Sequence, residues 1–383
     1  MNNKTIGNIF KGDKVIWMIF FFLCMISIIE VYSASSSLTY KTGNYMAPVI
    51  RHIGLLGLGL LTMICMLKVK CKFFKIVTPF MLGLSFILLL WVLVAGQSTN
   101  GASRWISLAG INFQPSEIAK GAVVLAVAQI LSAMQTEKGA DKQAFRYILT
   151  VCMFFIPLIM LENLSTAALL CIVVFMMMLI GRVPATQLGK LLGITTLFIS
   201  GVFAMVMFFG TDRQRENSVS DVDTTQVVAE NDKEESVVEK VFHRFDTWKA
   251  RIDDFIYNKP LKAEEVDLDK DGQWAHANIA IASSNITGKG PGNSEECDFL
   301  SQAFSDFIYA IIIEETGIFG AVFVAMLYII LLFRTGRIAN RCENNFPAFL
   351  AMGLALLLVT QALFNMCVAV GLAPVTGQPL PLI

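Results

Sequence analysis

Three carboxylates stand where a long apolar run begins. Asp306, Glu314 and Glu315 lie in the stretch DFLSQAFSDFIYAIIIEETGIFG (298–320), which continues into an apolar segment of membrane-spanning length. An ionised side chain inside such a helix costs at least roughly 2.5 kcal/mol on insertion scales, and the residues that carry this cost are usually functional. A carboxylate can also accept a proton from a reacting hydroxyl group. The stretch is therefore a candidate for proton-transfer chemistry.

A second charged stretch, NGASRWISLAGINFQPSEIAK (100–120), also leads into an apolar run. Pro115 favours a helix start at this point. On that helix Ser116, Glu117 and Lys120 are three and four residues apart, so they share one face. Two interpretations stay open: Glu117 and Lys120 neutralise each other locally, or Lys120 also holds an anionic partner, protein or ligand. We expect the two charged helix starts to face one site on the same side of a membrane.

Other polar groups accompany these two stretches. Glu162 and Asn163 stand at a junction between two apolar runs, near the same level. Glu315 falls on the helix face opposite Asp306, and we expect it to pair with a neighbouring helix. The glycine-rich turn Gly288–Gly292 is either a flexible connector or a loop whose backbone amides and Lys289 contact a phosphate.

The composition is typical of a membrane protein. Of the 383 residues, 55% are hydrophobic and 16% are charged, whereas soluble domains carry about 25% charged residues. The zero formal net charge and the lack of a basic tail give no indication of nucleic-acid binding, and eight cysteines without a CxxC pair do not predict a zinc site or a disulfide framework. Apolar runs of spanning length occur nine times, at about 15–34, 48–67, 76–95, 115–134, 147–161, 164–181, 188–209, 307–333 and 346–370.

Lysine and arginine residues are unevenly distributed between the connections. They concentrate at the N-terminus and in alternate connections, including 68–75, 138–146 and 334–341. The positive-inside rule therefore predicts a cytoplasmic N-terminus. The two charged helix starts and the long segment 211–300 then face outward. Within that segment, apolar residues recur every three or four positions over 238–255, which predicts an amphipathic helix.

Several motifs, found in the expected order, resemble one family. The stretches NGASRWI…QPSEIAK, ITGKGPGNS, SDFIYAIIIEETG and PVTGQPLPLI are similar to those of the SEDS family, the membrane glycosyltransferases FtsW and RodA, and the similarity covers nearly the whole chain. ENLSTA (162–167) and TGQPLPLI (376–383) are more similar to FtsW proteins of the Bacteroides group than to RodA.

The resemblance implies an all-α, polytopic transmembrane helix bundle of ten spans, nine of which are seen in this chain. It implies one membrane domain over residues 1–383, with 211–300 as a large extracytoplasmic loop. The implied location is the bacterial cytoplasmic membrane at the division septum. The implied partners are a class B penicillin-binding protein, which cross-links new strands, and other division proteins.

The implied activity is polymerisation of peptidoglycan glycan strands from lipid II at the outer membrane face, with release of undecaprenyl pyrophosphate. The family's essential aspartate falls on Asp306 and its conserved lysine on Lys120. An ionised Asp306 can accept the proton of the attacking sugar hydroxyl. The charge that develops on the leaving group suits a lysine, an arginine or a divalent cation, Mg²⁺ or Mn²⁺, whose ligands the sequence does not identify. The expected substrate-binding residues are Lys120, Arg104, Gln114, Ser116, Glu117 and Lys289.

The chain departs from the family pattern in three places. Ser301 and Gln302 replace the Pro and Glu of the usual FLPEA motif, and Asn163 stands where many members have an aspartate. The family's closing motif continues into a serine- and glycine-rich turn and a final helix. We therefore expect the complete protein to contain a further helix beyond Ile383.

Other interpretations of the same residues are open. A RodA-type elongation polymerase fits the same motifs, and Asp306 and Lys120 could form a purely structural bridge between two helices. A lipid II flippase should carry charges deep in several helices, whereas these charges cluster at one face, which favours an enzyme. For a non-catalytic division scaffold, single substitutions at Asp306 or Lys120 should leave glycan synthesis intact.

The orientation is testable at one position of the long loop. We expect a cysteine introduced by Ser236→Cys to react with an impermeant thiol reagent in intact cells whose outer membrane has been permeabilised. The reason is that the lysine and arginine distribution places residues 211–300 outside the cytoplasm. Labelling only after the inner membrane is broken would reverse the orientation and put the candidate site on the wrong side.

Overall fold

The computed structural model describes residues 12–38, 46–95, 97–99, 102–108, 111–137, 139–209, 272–300 and 306–383. The predicted amphipathic helix over 238–255 lies outside these residues. The described helices, in chain order, are α1 (Lys14–Leu38), α2 (Met46–Met66), α3 (Cys71–Ala95), α4 (Pro115–Ala133), α5 (Lys142–Glu162), α6 (Leu164–Ile180), α7 (Ala185–Phe209), α8 (Gly272–Ser283), α9 (Ile308–Ala339) and α10 (Asn345–Ala369).

Each of the nine apolar runs coincides with a helix. Within the described ranges, seven helices are long and apolar enough to cross a membrane, namely α1 to α5, α9 and α10, and α6 is a shorter apolar helix. The short run at 147–161 belongs to the 21-residue helix α5, which continues through Pro157. The chain is thus a predominantly helical, polytopic membrane protein, as predicted. The exact number of spans, and the tenth span in particular, stays a prediction.

The backbone forms two compact units. Met1–Pro184 and Val266–Ile383 make up the first unit, and Ala185–Glu265 makes up the second, of which α7 is described. The prediction of a single membrane domain over 1–383 is not tested by this division, and it stays a prediction.

Helix α4 lies at the centre of the first unit. It packs against α3, α5, α6 and α10. Of its apolar stretch, 61% is buried inside the bundle, compared with 6% for α2, whose apolar surface is therefore left for lipid. Small residues such as Ala119, Ala122 and Ala126 are buried along α4, and they allow close approach of its neighbours.

Helix α9 packs against α1, α8 and α10 around the main hydrophobic cluster, which includes Leu23, Phe307 and Tyr328. At the end of the bundle opposite the start of α9, Asp13 accepts a hydrogen bond from the backbone N–H of Val15, so it caps α1. The same carboxylate accepts a bond from Arg334 Nε at 2.8 Å, and this guanidinium holds the pKa of Asp13 below its usual value.

Small antiparallel sheets accompany the helices, which the sequence did not predict. Strands β1 (Gln97–Thr99), β2 (Ala102–Leu108) and β3 (Ile111–Phe113) form a three-stranded sheet in the connection between α3 and α4. Strands β4 (Gln135–Thr136) and β5 (Gly139–Ala140) form a two-stranded sheet after α4. The first sheet leads directly into the start of α4 and positions that helix end.

Helix α9 is broken at Gly317, where the backbone adopts φ 71° and ψ −169°. The glycine-rich turn docks on this break: Lys289 N–H donates to the carbonyl of Glu314 at 2.9 Å, and Gly290 N–H donates to that of Glu315 at 2.8 Å. Gly288 has φ 75°, and a Cβ there would clash with the Glu315 carbonyl. The turn is therefore a fixed part of the fold rather than a flexible connector.

The docking of the glycine-rich turn predicts that a methyl group added at Gly288 destabilises the fold. We expect Gly288→Ala to lower the free energy of unfolding by about 1–3 kcal/mol, because alanine meets both a positive φ and a backbone clash. Thermal unfolding in detergent measures the loss. Gly57→Ala in α2 is the matched control, since nothing lies within 4 Å of its added Cβ, and its melting temperature should stay at or above that of the parent. Equal melting of Gly288→Ala and the parent would contradict the docking.

Candidate functional site

The start of α4 delivers Lys120 into the interior. Gln114 is the extended N-cap residue, and its carbonyl accepts the Glu117 N–H at 3.1 Å. One turn later, the Lys120 side chain is fully buried. Its Nζ donates to Glu117 Oε1 at 2.8 Å and to Gln361 Oε1 of α10 at 2.9 Å. The local Glu117–Lys120 pair therefore exists, but the lysine also has a partner on a second helix.

Asp306 lies two residues before α9 and is half-buried. Its backbone carbonyl accepts a hydrogen bond from Asn365 Nδ2 of α10 at 3.1 Å. Because Asn365 is four residues after Gln361, both amides project from the same face of α10. The structure thus brings the Asp306 backbone and the Lys120 ammonium group to one face of α10. That the two charged helix starts face one site on the same side of a membrane stays a prediction.

The segment after α10 folds back against the same face. Gln378 is buried, its carbonyl accepts a bond from Asn365 Nδ2 at 2.8 Å, and its Nε2 donates to Thr166 Oγ1 of α6 at 2.5 Å. The Pro379 carbonyl accepts from Gln361 Nε2 at 3.2 Å, and the Pro381 carbonyl accepts from the Tyr328 hydroxyl. Residues 376–383, here called the returning segment, therefore form a wall of the candidate site.

Some buried polar atoms of the candidate site have no hydrogen-bond partner among the described residues. Ser116 Oγ, Asn163 Nδ2 and Gln378 Oε1 make no hydrogen bond to any described residue. Asn163 also caps α6, since its Oδ1 accepts the Ser165 N–H at 3.1 Å, and the adjacent Glu162 is buried. Unpaired buried polar atoms are costly unless a ligand or water completes them. Their presence favours a site that receives a polar group.

Lys289 belongs to a separate network at the helix break. Its Nζ contacts Glu314 Oε1 at 2.7 Å and Glu295 Oε2 at 3.0 Å. The hydrogen bond to Glu314 raises the pKa of Lys289, so the lysine stays protonated at physiological pH. Ser294 Oγ also donates to Glu314, at 2.6 Å. Two carboxylates already engage the ammonium group, and the backbone amides of the turn bind carbonyls, so a substrate-binding role for Lys289 stays a prediction without structural support.

Glu315 contacts a neighbouring helix, as predicted. It is buried on α9 and accepts a hydrogen bond from the Ser33 hydroxyl of α1. Glu30, one turn earlier on α1, is buried as well. The bond between Ser33 and Glu315 connects α1 to α9 near the break at Gly317, which supports a structural role for Glu315.

The remaining predicted residues are placed less specifically. Arg104 lies in β2, and its side chain is outside the described part of the structure. Gln114 makes no side-chain capping bond. Throughout the described ranges, no group of three or more His, Cys, Asp or Glu side chains is arranged to hold a metal ion. The divalent cation therefore stays a prediction with no identified ligands.

The amides that join the site carry no charge, and they were not predicted from the sequence. Gln361 and Asn365 are two uncharged polar residues within the apolar run of α10, and Thr166 and Gln378 are their counterparts on α6 and the returning segment. Polar residues four positions apart in an otherwise apolar helix share a face, and this spacing was the available signal.

Comparisons with known proteins agree with this architecture. The family model described as "Cell cycle protein" (FtsW, RodA, SpoVE) matches residues 13–227 and 240–383. A probable peptidoglycan glycosyltransferase FtsW of Geobacter sp. (strain M18) is 28% identical over 96% of this chain and 90% of its own length. The peptidoglycan glycosyltransferase MrdB of Escherichia coli (strain K12) is 26% identical over 100% of this chain and 90% of its own length.

Two solved structures share the fold. A peptidoglycan synthase complex described as coordinating polymerization and crosslinking has a chain with a TM-score of 0.69 and 22% identity, over 97% of this chain and 91% of its own. The rod shape determining protein RodA of Thermus thermophilus has a TM-score of 0.59 and 22% identity, over 97% of this chain and 90% of its own. With the family model matching most of its length, the chain belongs to the FtsW/RodA/SpoVE family of cell cycle proteins.

Proposed function

We propose that the protein is a peptidoglycan glycosyltransferase that polymerises lipid II at the outer face of the bacterial cytoplasmic membrane. Relatives that match over nearly their whole length carry this enzyme name. One observation in the structure carries the proposal: α10 binds the Lys120 side chain through Gln361 and the Asp306 backbone through Asn365. A buried cation and an acidic residue whose backbone is held at the same helix face suit a reaction that moves a proton and releases an anion.

Asp306 is proposed as the general base. Strand growth joins a sugar hydroxyl to an anomeric carbon, and the hydroxyl must lose its proton as the new bond forms. A carboxylate within hydrogen-bonding reach can accept that proton. The half-buried position of Asp306 and its attachment to α10 hold the residue at the boundary between the bundle and the surrounding solvent.

Lys120 is proposed to stabilise the departing pyrophosphate. The anomeric carbon–oxygen bond breaks toward the lipid diphosphate, which gains negative charge, and a nearby ammonium group lowers the energy of this charge most effectively where water is excluded. Glu117, Ser116, Gln114 and Arg104 are proposed to line the approach of the polar headgroup. Mg²⁺ or Mn²⁺ could supply further positive charge, and no step is assigned to a metal.

The proposed cellular role is in division, with a class B penicillin-binding protein as the cross-linking partner. Similarity of ENLSTA and TGQPLPLI to FtsW supports the division branch. A solved structure with the same fold is part of a complex that coordinates polymerization and crosslinking. The alternative is elongation, because the relatives also include MrdB. The cytoplasmic N-terminus and septal location belong to this proposal and rest on the lysine and arginine distribution and on the FtsW similarity.

The proposed role of Lys120 predicts that two variants of this residue differ in polymerisation activity. Lys120→Ala should lower the rate of glycan-strand formation from purified lipid II by on the order of 10²–10³-fold, because one preorganised charge is lost. Lys120→Arg keeps the charge and should retain more activity than alanine, although the enclosed site limits the larger group.

Lys14→Ala, at the exposed start of α1, is the control for the lysine variants, and it should polymerise at the parental rate. Membrane abundance is measured for each variant. Full activity of Lys120→Ala at normal abundance would reduce the lysine to a dispensable ion pair with Glu117.

The variant Asp306→Asn distinguishes a catalytic role of Asp306 from a structural one. Asp306→Asn keeps the shape and the backbone carbonyl that binds Asn365, so it should fold and insert normally. It should polymerise lipid II about 10²–10⁴-fold more slowly, because an amide does not accept the hydroxyl proton. Glycan product and melting temperature are measured together, with Glu343→Gln, an exposed carboxylate in the turn before α10, as control.

If Asp306 and Lys120 only form a structural bridge, the expected effects of Asp306→Asn on stability and on activity are reversed. In that case the variant loses stability and its activity falls only in proportion. A less stable protein that still makes strands at a near-parental rate would therefore overturn the assignment of Asp306 as the base.

A further inference from the structure

Gln361 occupies a position that no charged residue could fill equivalently. It lies buried on α10 between the Lys120 ammonium group and the backbone of the returning segment. An ammonium group only donates hydrogen bonds and a carbonyl oxygen only accepts them. The amide oxygen of Gln361 must therefore face Lys120, and its NH₂ group must face Pro379, so both ends of the side chain have a fixed partner.

The two partners of Lys120 differ in their surroundings. The side chain of Glu117 is 43% exposed, so solvent screens its charge and the carboxylate has freedom to move. Gln361 is buried and is itself held by the Pro379 carbonyl at 3.2 Å. Of these two contacts, the amide is thus the one that fixes where the ammonium group lies.

A neutral partner also preserves the charge of the lysine. A buried carboxylate in the place of Gln361 would neutralise Lys120 and weaken its attraction for any other anion. An amide accepts the same hydrogen bond without adding charge. The geometry of Lys120, Gln361 and Pro379 therefore fixes the ammonium group without adding a second negative charge to that of Glu117.

Asn365 extends the arrangement by one turn of α10. Its Nδ2 donates to the backbone carbonyls of both Asp306 and Gln378. Two neighbouring amides thus connect the returning segment to the two residues proposed for chemistry. A shift of the returning segment would be transmitted to Lys120 through Gln361 and to the start of α9 through Asn365.

We propose that Gln361 is a positioning residue for the transferase reaction, which holds Lys120 in place against the returning segment and keeps its charge available to the lipid diphosphate. This role rests on the proposed function of Lys120. Gln361 itself touches neither the reacting sugar nor the phosphates. It acts through the lysine, so its loss should change kcat and the response to pH more than the affinity for substrate.

The informative variant is Gln361→Glu, which keeps an acceptor for Lys120 but adds a negative charge. We expect kcat for lipid II polymerisation to fall by about 10–100-fold at neutral pH, with KM changed by less than about threefold. Activity should recover partly as the pH is lowered, because protonation of the new carboxyl group removes the added charge. The parent protein should not gain activity over the same range.

Gln361→Met keeps the volume of the side chain and removes both hydrogen bonds. It should also lose about tenfold or more in kcat, but without recovery at low pH. The control is Gln129→Met on α4, about 13 Å along the helix from Lys120, whose Oε1 has no hydrogen-bond partner among the described residues. It should keep the parental kcat and pH profile. Melting temperatures in detergent accompany every rate.

The outcomes distinguish this inference from the proposal on which it rests. Full activity of Lys120→Ala would overturn the proposed site itself. A silent Lys120→Ala beside a Gln361→Glu variant with the parental kcat and pH profile would overturn only the positioning role. If Gln361→Glu does not fold, Gln361→Met decides: loss of kcat at an unchanged melting temperature supports the role, and loss in proportion to stability contradicts it.

Discussion

The buried ammonium group of Lys120 is the constraint on which the rest of the site depends. In a bundle surrounded by lipid, a cation without partners would be strongly destabilising, so the fold must bring acceptors to it. Glu117 comes from the previous turn of α4, and Gln361 comes from α10. This requirement explains why α4 is so enclosed and why α10 carries amides in an apolar run. The close packing of α4 against α10 and the buried position of the Lys120 charge therefore depend on each other.

The first part of α9, residues 308–316, is fixed at both ends. At its start, the Asp306 carbonyl binds Asn365 of α10. At its end, Gly317 breaks the helix, and the glycine-rich turn binds the carbonyls of Glu314 and Glu315. Two attachments about 13 Å apart leave this segment little freedom to tilt. The network around Lys289 therefore supports Asp306 at a distance, through the helix that carries it.

Hydrophobic run length was sufficient to predict the nine apolar helices, because a span needs about 20 apolar residues whatever it packs against. It did not predict the shorter helix α8, which lies outside the apolar runs. The break at Gly317 could not be predicted in the same way. A glycine is tolerated within a helix, and the need for one at 317 comes from a tertiary contact, because a Cβ there would clash with the carbonyl of Ile286 and the backbone nitrogen of Gly288. For the site, charge in an apolar run marked Asp306 and Lys120. Gln361 and Asn365 carry no charge, and their roles depend on which helix faces them, which is a tertiary property.

Charged and neutral polar side chains have different roles in the network at the break in α9 and in the network around Lys120. Around the break in α9, Lys289 is paired with two carboxylates, Glu314 and Glu295, and the contact is structural. Lys120 has a carboxylate partner, Glu117, whose side chain is 43% exposed. The groups that α10 supplies to Lys120 and to the Asp306 backbone are amides, which fix position without adding charge. A membrane enzyme that stabilises a diphosphate leaving group needs a cation at a fixed point, and a neutral acceptor fixes that cation without adding negative charge beside it. The amides of α10 meet this requirement, whereas a carboxylate in the place of Gln361 would add a second negative charge beside Lys120 and weaken its attraction for the leaving group.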